Sequence, residues 1–470
     1  MTTTTTSTWA DGPFPLEDLR GSFDEPQVDR EASDFHSDDP GHAHFDALPP
    51  TDRGKRAYTT LACCTLAQAP IWGYSTAFGI FQEYFTSQDG LNASPGSVAT
   101  IGACQQGITY ILMPVIFLAL ARWPYLRMYC GSVGVAFAFG SLTASAFVTN
   151  VGALIATQGV LYAIGCSLLF SPISIYMDEW FIERKGFAHG VMWAGKSTTG
   201  MVSPFVFDAM LKRFGYKATL LGWAGTSAVM MLPTMFFLKP RIPVSRAARG
   251  RPVSFGFARH LLFWMMLWGV MIQAVGYLMP STYLASYAIN VGHSSITAPI
   301  LLALVQVASA PGGVIIGLLG DQFGSSMAII MASFGATLPV FLLWGLSFHL
   351  ANLVVFVLFY GFFAGAFSST WSCVMRELIH DDNASESAVI FGLLLGARGI
   401  GFVVGGPMSG VLLSAHGKLS DEAMGYATKY GPMIIFTGVT TVLGAWAPLW
   451  KGLNKAAKRM RLQCVDAHTD

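Results

Sequence analysis

Twelve apolar stretches follow one another between residues 57 and 450, separated by short polar or Gly- and Pro-containing breaks. They cover 57–85, 96–121, 128–148, 152–181, 187–210, 217–238, 261–288, 296–320, 325–348, 352–376, 386–414 and 428–450. A helix needs roughly 20 apolar residues to cross the hydrocarbon core of a bilayer, and each stretch is near or above that length. The stretches are apolar on every side and lack the polar stripe of a soluble surface helix, so they predict transmembrane α-helices. The longest polar interval between them, Lys239–Arg259, divides twelve spans into six and six. The expected organisation is an acidic disordered tail over 1–55, a six-helix half over 56–238, a basic loop over 239–260, a second six-helix half over 261–450 and a tail over 451–470.

Composition agrees with that reading. The 470-residue chain is 53% hydrophobic and 12% charged, with a mean hydropathy of +0.50; a soluble domain carries about 25% charged residues. The net charge of +1 hides an asymmetry, because Met1 to Asp52 holds twelve acidic residues against only Arg20 and Arg30. So little apolar area predicts a solvated tail, in which His36, His42 and His44 are solvated side chains and not a metal site. That segment has no apolar signal-peptide core.

Basic residues elsewhere cluster at span ends. With both tails on one side, that side carries 19 Lys and Arg from Arg53 onward, and the other carries five. The bias places both tails and the 239–260 loop in the cytoplasm. Asn92-Ala93-Ser94 then falls outside and is a candidate glycosylation acceptor. The seven cysteines form no disulfide framework. We find no metal-spaced His/Cys/acid cluster and no nucleophile elbow, so neither an enzyme nor a cofactor is expected. Nor does any basic patch suggest nucleic acid.

Two charges lie deep within the spans: Lys196 in the fifth and Arg398 in the eleventh. A cation at mid-membrane costs about 2.5 kcal/mol or more on insertion scales and usually marks a functional site. One belongs to each half, an arrangement suited to an anion held between the halves. Arg brings a planar fork for a carboxylate or enolate, and Lys brings a point charge. Gln306, Tyr74, Gln273, Tyr277 and Trp371 lie at similar depth, and as a set they suit a flat, partly apolar organic anion. No mid-span acid balances the cations. Proton-coupled transport and uniport both remain open.

Local motifs carry a resemblance. Gly317-Leu318-Leu319-Gly320-Asp321-Gln322-Phe323-Gly324 resembles the G-x-L-a-D-r-x-G loop of the major facilitator superfamily. Trp72 to Gln82 resembles the first span of its fungal monocarboxylate-transporter-like members. Pro172 to Tyr176, with Trp180-Phe181-Ile182-Glu183-Arg184-Lys185-Gly186, resembles that family's junction of spans four and five, and Arg398-Gly399-Ile400-Gly401 its eleventh span. Where animal monocarboxylate carriers have an Asp and, four residues on, an Arg before a Pro, this chain has Gln306 and Ala310 before Pro311.

The resemblance implies an all-α fold of twelve transmembrane helices in two pseudo-symmetric six-helix bundles around a cavity open to one side at a time. It implies roles in conformational switching for Asp321, Gly317 and Arg184. It also implies a secondary transporter of a small organic anion or anionic secondary metabolite, either an exporter of a biosynthetic gene cluster or an importer of a monocarboxylate or vitamin. A transporter-like nutrient sensor is a remote alternative. The plasma membrane is the expected location, with a vacuolar or other internal membrane as the alternative. The glycine pairs Gly186/Gly190 and Gly313/Gly317, and those at 392/396, 401/405 and 406/410, have the spacing that lets helix backbones approach.

Overall fold

The computed structural model describes residues 49–86, 95–242, 255–292, 297–347, 349–378, 384–414 and 425–454. The histidines of the tail, Asn92 and the middle of the basic loop lie outside the described residues. The described chain forms helices and their turns, which we number α1 to α12 by span. They are α1 (55–86), α2 (Pro95–Arg122), α3 (Arg127–Ser145), α4 (Val151–Trp180), α5 (185–214) and α6 (216–237) in the first half. The second half holds α7 (Leu261–Asn290), α8 (Thr297–Phe323), α9 (Ser325–Trp344), α10 (Leu350–Leu378), α11 (Ala384–Ser414) and α12, which bends by 49° between Gly431–Leu443 and Trp446–Asn454.

Nine helices among the described residues are long and apolar enough to cross a membrane, or ten with the bent pair of α12. Two features relate that number to the twelve expected spans. The 53-residue stretch Lys185–Phe237 is one of the nine, yet Gly215 at φ 74° turns it back on itself and makes it two passes, α5 and α6. Glycine tolerates that left-handed conformation without a Cβ clash. The first span is broken into Lys55–Leu66, Gln68–Thr76 and Phe78–Thr86, each too short to cross alone.

The halves meet along two helix pairs, α5 with α8 and α2 with α11. A shift of six spans turns one pair into the other, as two related six-helix halves require. The glycines explain the first contact. A Cβ on Gly186 would strike the carbonyl oxygen of Gly317, and one on Gly190 would strike that of Gly313. On α11, a Cβ on Gly392, Gly396 or Gly399 would meet Phe117, Pro114 or Tyr110 of α2. Gly401 and Gly405 instead face α7 in their own half, and Gly406 and Gly410 face open space.

These contacts run from the face that bears the 239–260 loop, called here the loop face, to about mid-span. Gly107 against Val403 and Gly200 against Gln306 are the last of them. Beyond that level Gly102 packs on Phe78 and Gly405 on Val275, each within its own half. The seam is therefore closed at the loop face.

Residues 49–55, which the sequence assigns to the acidic tail, are described and make contacts with the first half. Asp52 is 4% exposed. Its backbone N–H donates to the Trp180 carbonyl at 2.9 Å, and Arg241 Nε donates to the Pro49 carbonyl at 2.8 Å. The segment from Pro49 is thus fastened to the loop face of the first half.

Candidate functional site

Lys196 and Arg398 occupy the middle of α5 and α11, and each is set among aromatic rings. Lys196 Nζ lies 4.2 Å from the centre of the Trp72 ring and 5.3 Å from that of Trp193, and donates to the Tyr110 hydroxyl at 3.2 Å. The Arg398 guanidinium carbon lies 4.6 Å from the Tyr277 ring centre, 5.2 Å from Phe402 and 5.3 Å from Trp371. Its Nη1 donates to Ser368 Oγ at 2.5 Å, while its buried Nε has no hydrogen-bond partner among the described residues. Cation–π contacts of this kind are worth up to about 2 kcal/mol when desolvated.

The two cationic nests adjoin, because Tyr110 of the first packs edge-on against Phe402 of the second at 5.4 Å. Among the described residues no carboxylate ion-pairs with either cation. Lys196, Tyr277 and Gln306 are half-buried. Below them, towards the loop face, the wall is shut. Phe170 of the first half stacks on Phe391 of the second at 6.4 Å, flanked by Trp193 and Trp371. The site is therefore reached from the face opposite the loop.

Under that floor lies a buried polar knot that joins the halves. His189 is 0% exposed and donates through Nε2 to Asp178 Oδ1 at 3.0 Å. Lys185 Nζ donates to Ser387 Oγ on α11 at 3.2 Å, and Ser387 donates to Asp178 Oδ2 at 3.4 Å. At the loop face Asp321 of α8 accepts from the backbone N–H of Gly186 at 2.9 Å and of Phe187 at 2.8 Å. These amides belong to the first turn of α5, whose N-cap residue Arg184 makes no side-chain capping bond. A carboxylate there satisfies orphan donors and matches the positive end of the helix dipole. Arg376 donates to the Glu183 carbonyl and lies 3.6 Å from Asp321 Oδ1.

The profile of the Major Facilitator Superfamily matches residues 61–406, nearly three quarters of the chain. The chain belongs to the major facilitator superfamily. The Agnestins efflux protein AgnL12 of Paecilomyces divaricatus is 25% identical over 405 residues, 84% of this chain and 87% of that protein. Monocarboxylate transporter 10 of Danio rerio is 25% identical over 380 residues, 77% and 73% of the two chains. Among solved structures, the human organic anion transporter MFSD10 superposes with a TM-score of 0.62 at 14% identity, over 84% of this chain and 100% of that one.

In this superfamily member the expected binding residues fall in four different places. Lys196, Arg398, Tyr277 and Trp371 are brought together. Gln306 sits at the seam, where a Cβ on Gly200 would meet its amide. Tyr74 is not at the site. It is 0% exposed inside the first half, where its hydroxyl donates to Gln158 in a π-helical turn of α4 at 2.5 Å. Gln273 is not there either, since it is 1% exposed and packs against Gly444 of α12.

Asp321 and Gly317 meet α5, but Arg184 contributes backbone groups, its N–H to Asp52 and its carbonyl to the Ala188 N–H, and the residue is exposed. Lys185 and Arg376 make the cross-half contacts instead. Sequence reasoning passed over Tyr110, Trp193 and Phe402. Spacing offered a signal for two of them: Trp193 precedes Lys196 by three residues and Phe402 follows Arg398 by four, so each shares a helix face with its cation.

Proposed function

We propose that the protein moves a flat organic anion across the plasma membrane by alternating access, and that it works as an exporter of an anionic secondary metabolite. The observation that carries this is a pair of cations, one from each half, walled by aromatic rings and unmatched by any carboxylate among the described residues. A charge so placed is costly to bury alone, and an anion between the halves relieves both. The rings favour a ligand with a conjugated face, because aromatic pairs add about 0.5–1.5 kcal/mol beyond the area they bury. A relative named as an efflux protein supports the outward direction. The basic bias of the loop face supports a cytoplasmic position for it.

The test uses purified protein in vesicles loaded with salicylate or 1-naphthoate, with acetate as a small non-aromatic control, with and without an imposed pH gradient. Wild type should release the aromatic anions faster than acetate. Arg398→Lys keeps the charge but loses the planar fork. A charge-assisted hydrogen bond is worth about 1.5–3 kcal/mol, so transport should fall roughly 10- to 100-fold. If Arg398→Ala carries the aromatic anions with unchanged affinity and rate, the arginine is a structural pin and the proposal fails.

A further inference from the structure

The turn joining α4 to α5 is held by two carboxylates that come from opposite directions. From the far half, Asp321 takes the N–H groups of Gly186 and Phe187. From the chain's own N-terminal segment, Asp52 takes three amides of the preceding turn, 182 to 184. Its Oδ2 accepts from Ile182 at 3.2 Å and Glu183 at 3.0 Å, and its Oδ1 from Arg184 at 2.9 Å. Asp52 is also the one non-glycine residue with positive φ, 58°, among the described residues. A backbone in that region persists when its surroundings over-determine it. Here they do, since the Asp52 N–H is bound to Trp180 and the Pro49 carbonyl to Arg241. Arg241 is itself held through its backbone N–H by Glu179, which is paired with buried Arg127 at 2.7 Å.

We infer that Asp52 is a positioning residue of the loop-face gate: it fixes the 182–184 turn so that the amides of α5 meet Asp321 and the Glu183 carbonyl meets Arg376 when the halves close. Asp52 and the turn belong to the same half, so this contact travels with α5 through the transport cycle. Asp321 belongs to the other half, so its contact is the one that breaks. A turn whose amides were free to turn to water would present no fixed acceptor to Arg376 and no aligned donors to Asp321. The contacts of this device begin at Pro49, although sequence reading places Asp52 in the same tail as the acidic chain before it.

Ser387 supplies a reporter, because it lies 1% exposed in the seam between Lys185 and Asp178. In a chain stripped of its own cysteines, Ser387→Cys is labelled with N-ethylmaleimide in vesicles, a measurement that needs no substrate. Relative to that parent, Asp52→Asn should speed labelling about fivefold or more, the lower end of typical coupling between sites. Deletion of residues 2–47, which leaves Pro49 and Asp52 in place, should leave the rate as it was. Because both carboxylates act through one turn, Asp52→Asn combined with Asp321→Asn should label more slowly than the product of the two single accelerations. In transport assays with salicylate, Asp52→Asn should lower the maximal rate and leave KM near wild type.

An acceleration below about threefold, a multiplicative double variant, or a 2–47 deletion that labels like Asp52→Asn would overturn the inference. So would a failure of both Asp52→Asn and Asp52→Glu to insert while the deletion inserts normally, because a purely structural residue behaves that way.

Discussion

Asp321→Asn offers the cleanest measurement of what closes the loop face. The wild-type carboxylate makes two charge-assisted bonds, 2.9 Å to Gly186 and 2.8 Å to Phe187, at a helix start that has no other side-chain cap. Its side chain is 7% exposed, so solvent screens these bonds little. Asparagine keeps one acceptor oxygen, turns an NH2 group towards the other amide and removes the charge that faces the helix dipole and Arg376. Losing a cap costs about 0.5–2 kcal/mol, and losing a charge at a helix N-terminus costs about 0.3–1 kcal/mol. A combined loss of about 1–2 kcal/mol shifts the closed-to-open ratio roughly 5- to 30-fold, at 1.4 kcal/mol per tenfold. None of this energy involves the cation site, which lies about 15 Å further along α5 at 1.5 Å per residue. The seam reporter at position 387 should therefore label roughly 5- to 30-fold faster, and turnover of salicylate should change more than its apparent affinity. Unchanged labelling with a raised KM would place Asp321 on the substrate path and refute the argument.

Other outcomes follow from the same geometry. Gly190→Ala should slow transport strongly, because its Cβ would strike the backbone of Gly313 and Val314, while Gly410→Ala, with nothing within 4 Å, should transport as wild type; paired uptake assays compare them. Lys196→Thr should be milder than Arg398→Lys and should change anion preference, read from a panel of mono- and dicarboxylates, since Lys196 is half-buried while Arg398 is 4% exposed. A single cysteine at position 247 should react with an impermeant maleimide only from the cytoplasmic side.

The spans were legible because hydropathy reports depth along a helix, and depth is what sets Lys196 and Arg398 at the middle of their helices. Rotation about the helix axis was not legible. Tyr74 and Gln273 lie at suitable depths yet point into helix packing, because a span that is apolar on every side has no polar face to reveal its orientation. The glycine pairs teach the same lesson on a single helix. Identical spacing on α11 serves α2 across the seam at 392 and 396, α7 within the half at 401 and 405, and open space at 406 and 410. Nothing in the sequence marks His189 and Asp178, because a sequence does not show that the partner helix brings Ser387 and Phe391 over them. Asp52 was hidden by its neighbours: composition averages over a segment, and an acidic tail obscures one aspartate whose two carboxylate oxygens both accept backbone N–H groups.

Site and gate share their helices, and on the function proposed above this is how a bound anion would drive the cycle. Lys196 and the amides that Asp321 caps both lie on α5, while Arg398 and Ser387 both lie on α11. A ligand shifts a conformational equilibrium only by as much as it binds one state better than the other. The empty site sets two like charges against one aromatic wall, joined through Tyr110 and Phe402, and their repulsion opposes any rearrangement that brings α5 and α11 closer at that level. An anion between them reverses the sign of that term. The differential affinity that transport requires is thus built into the choice of one cation per half, since two cations in the same half would bind the anion equally well in every rigid-body position of the other.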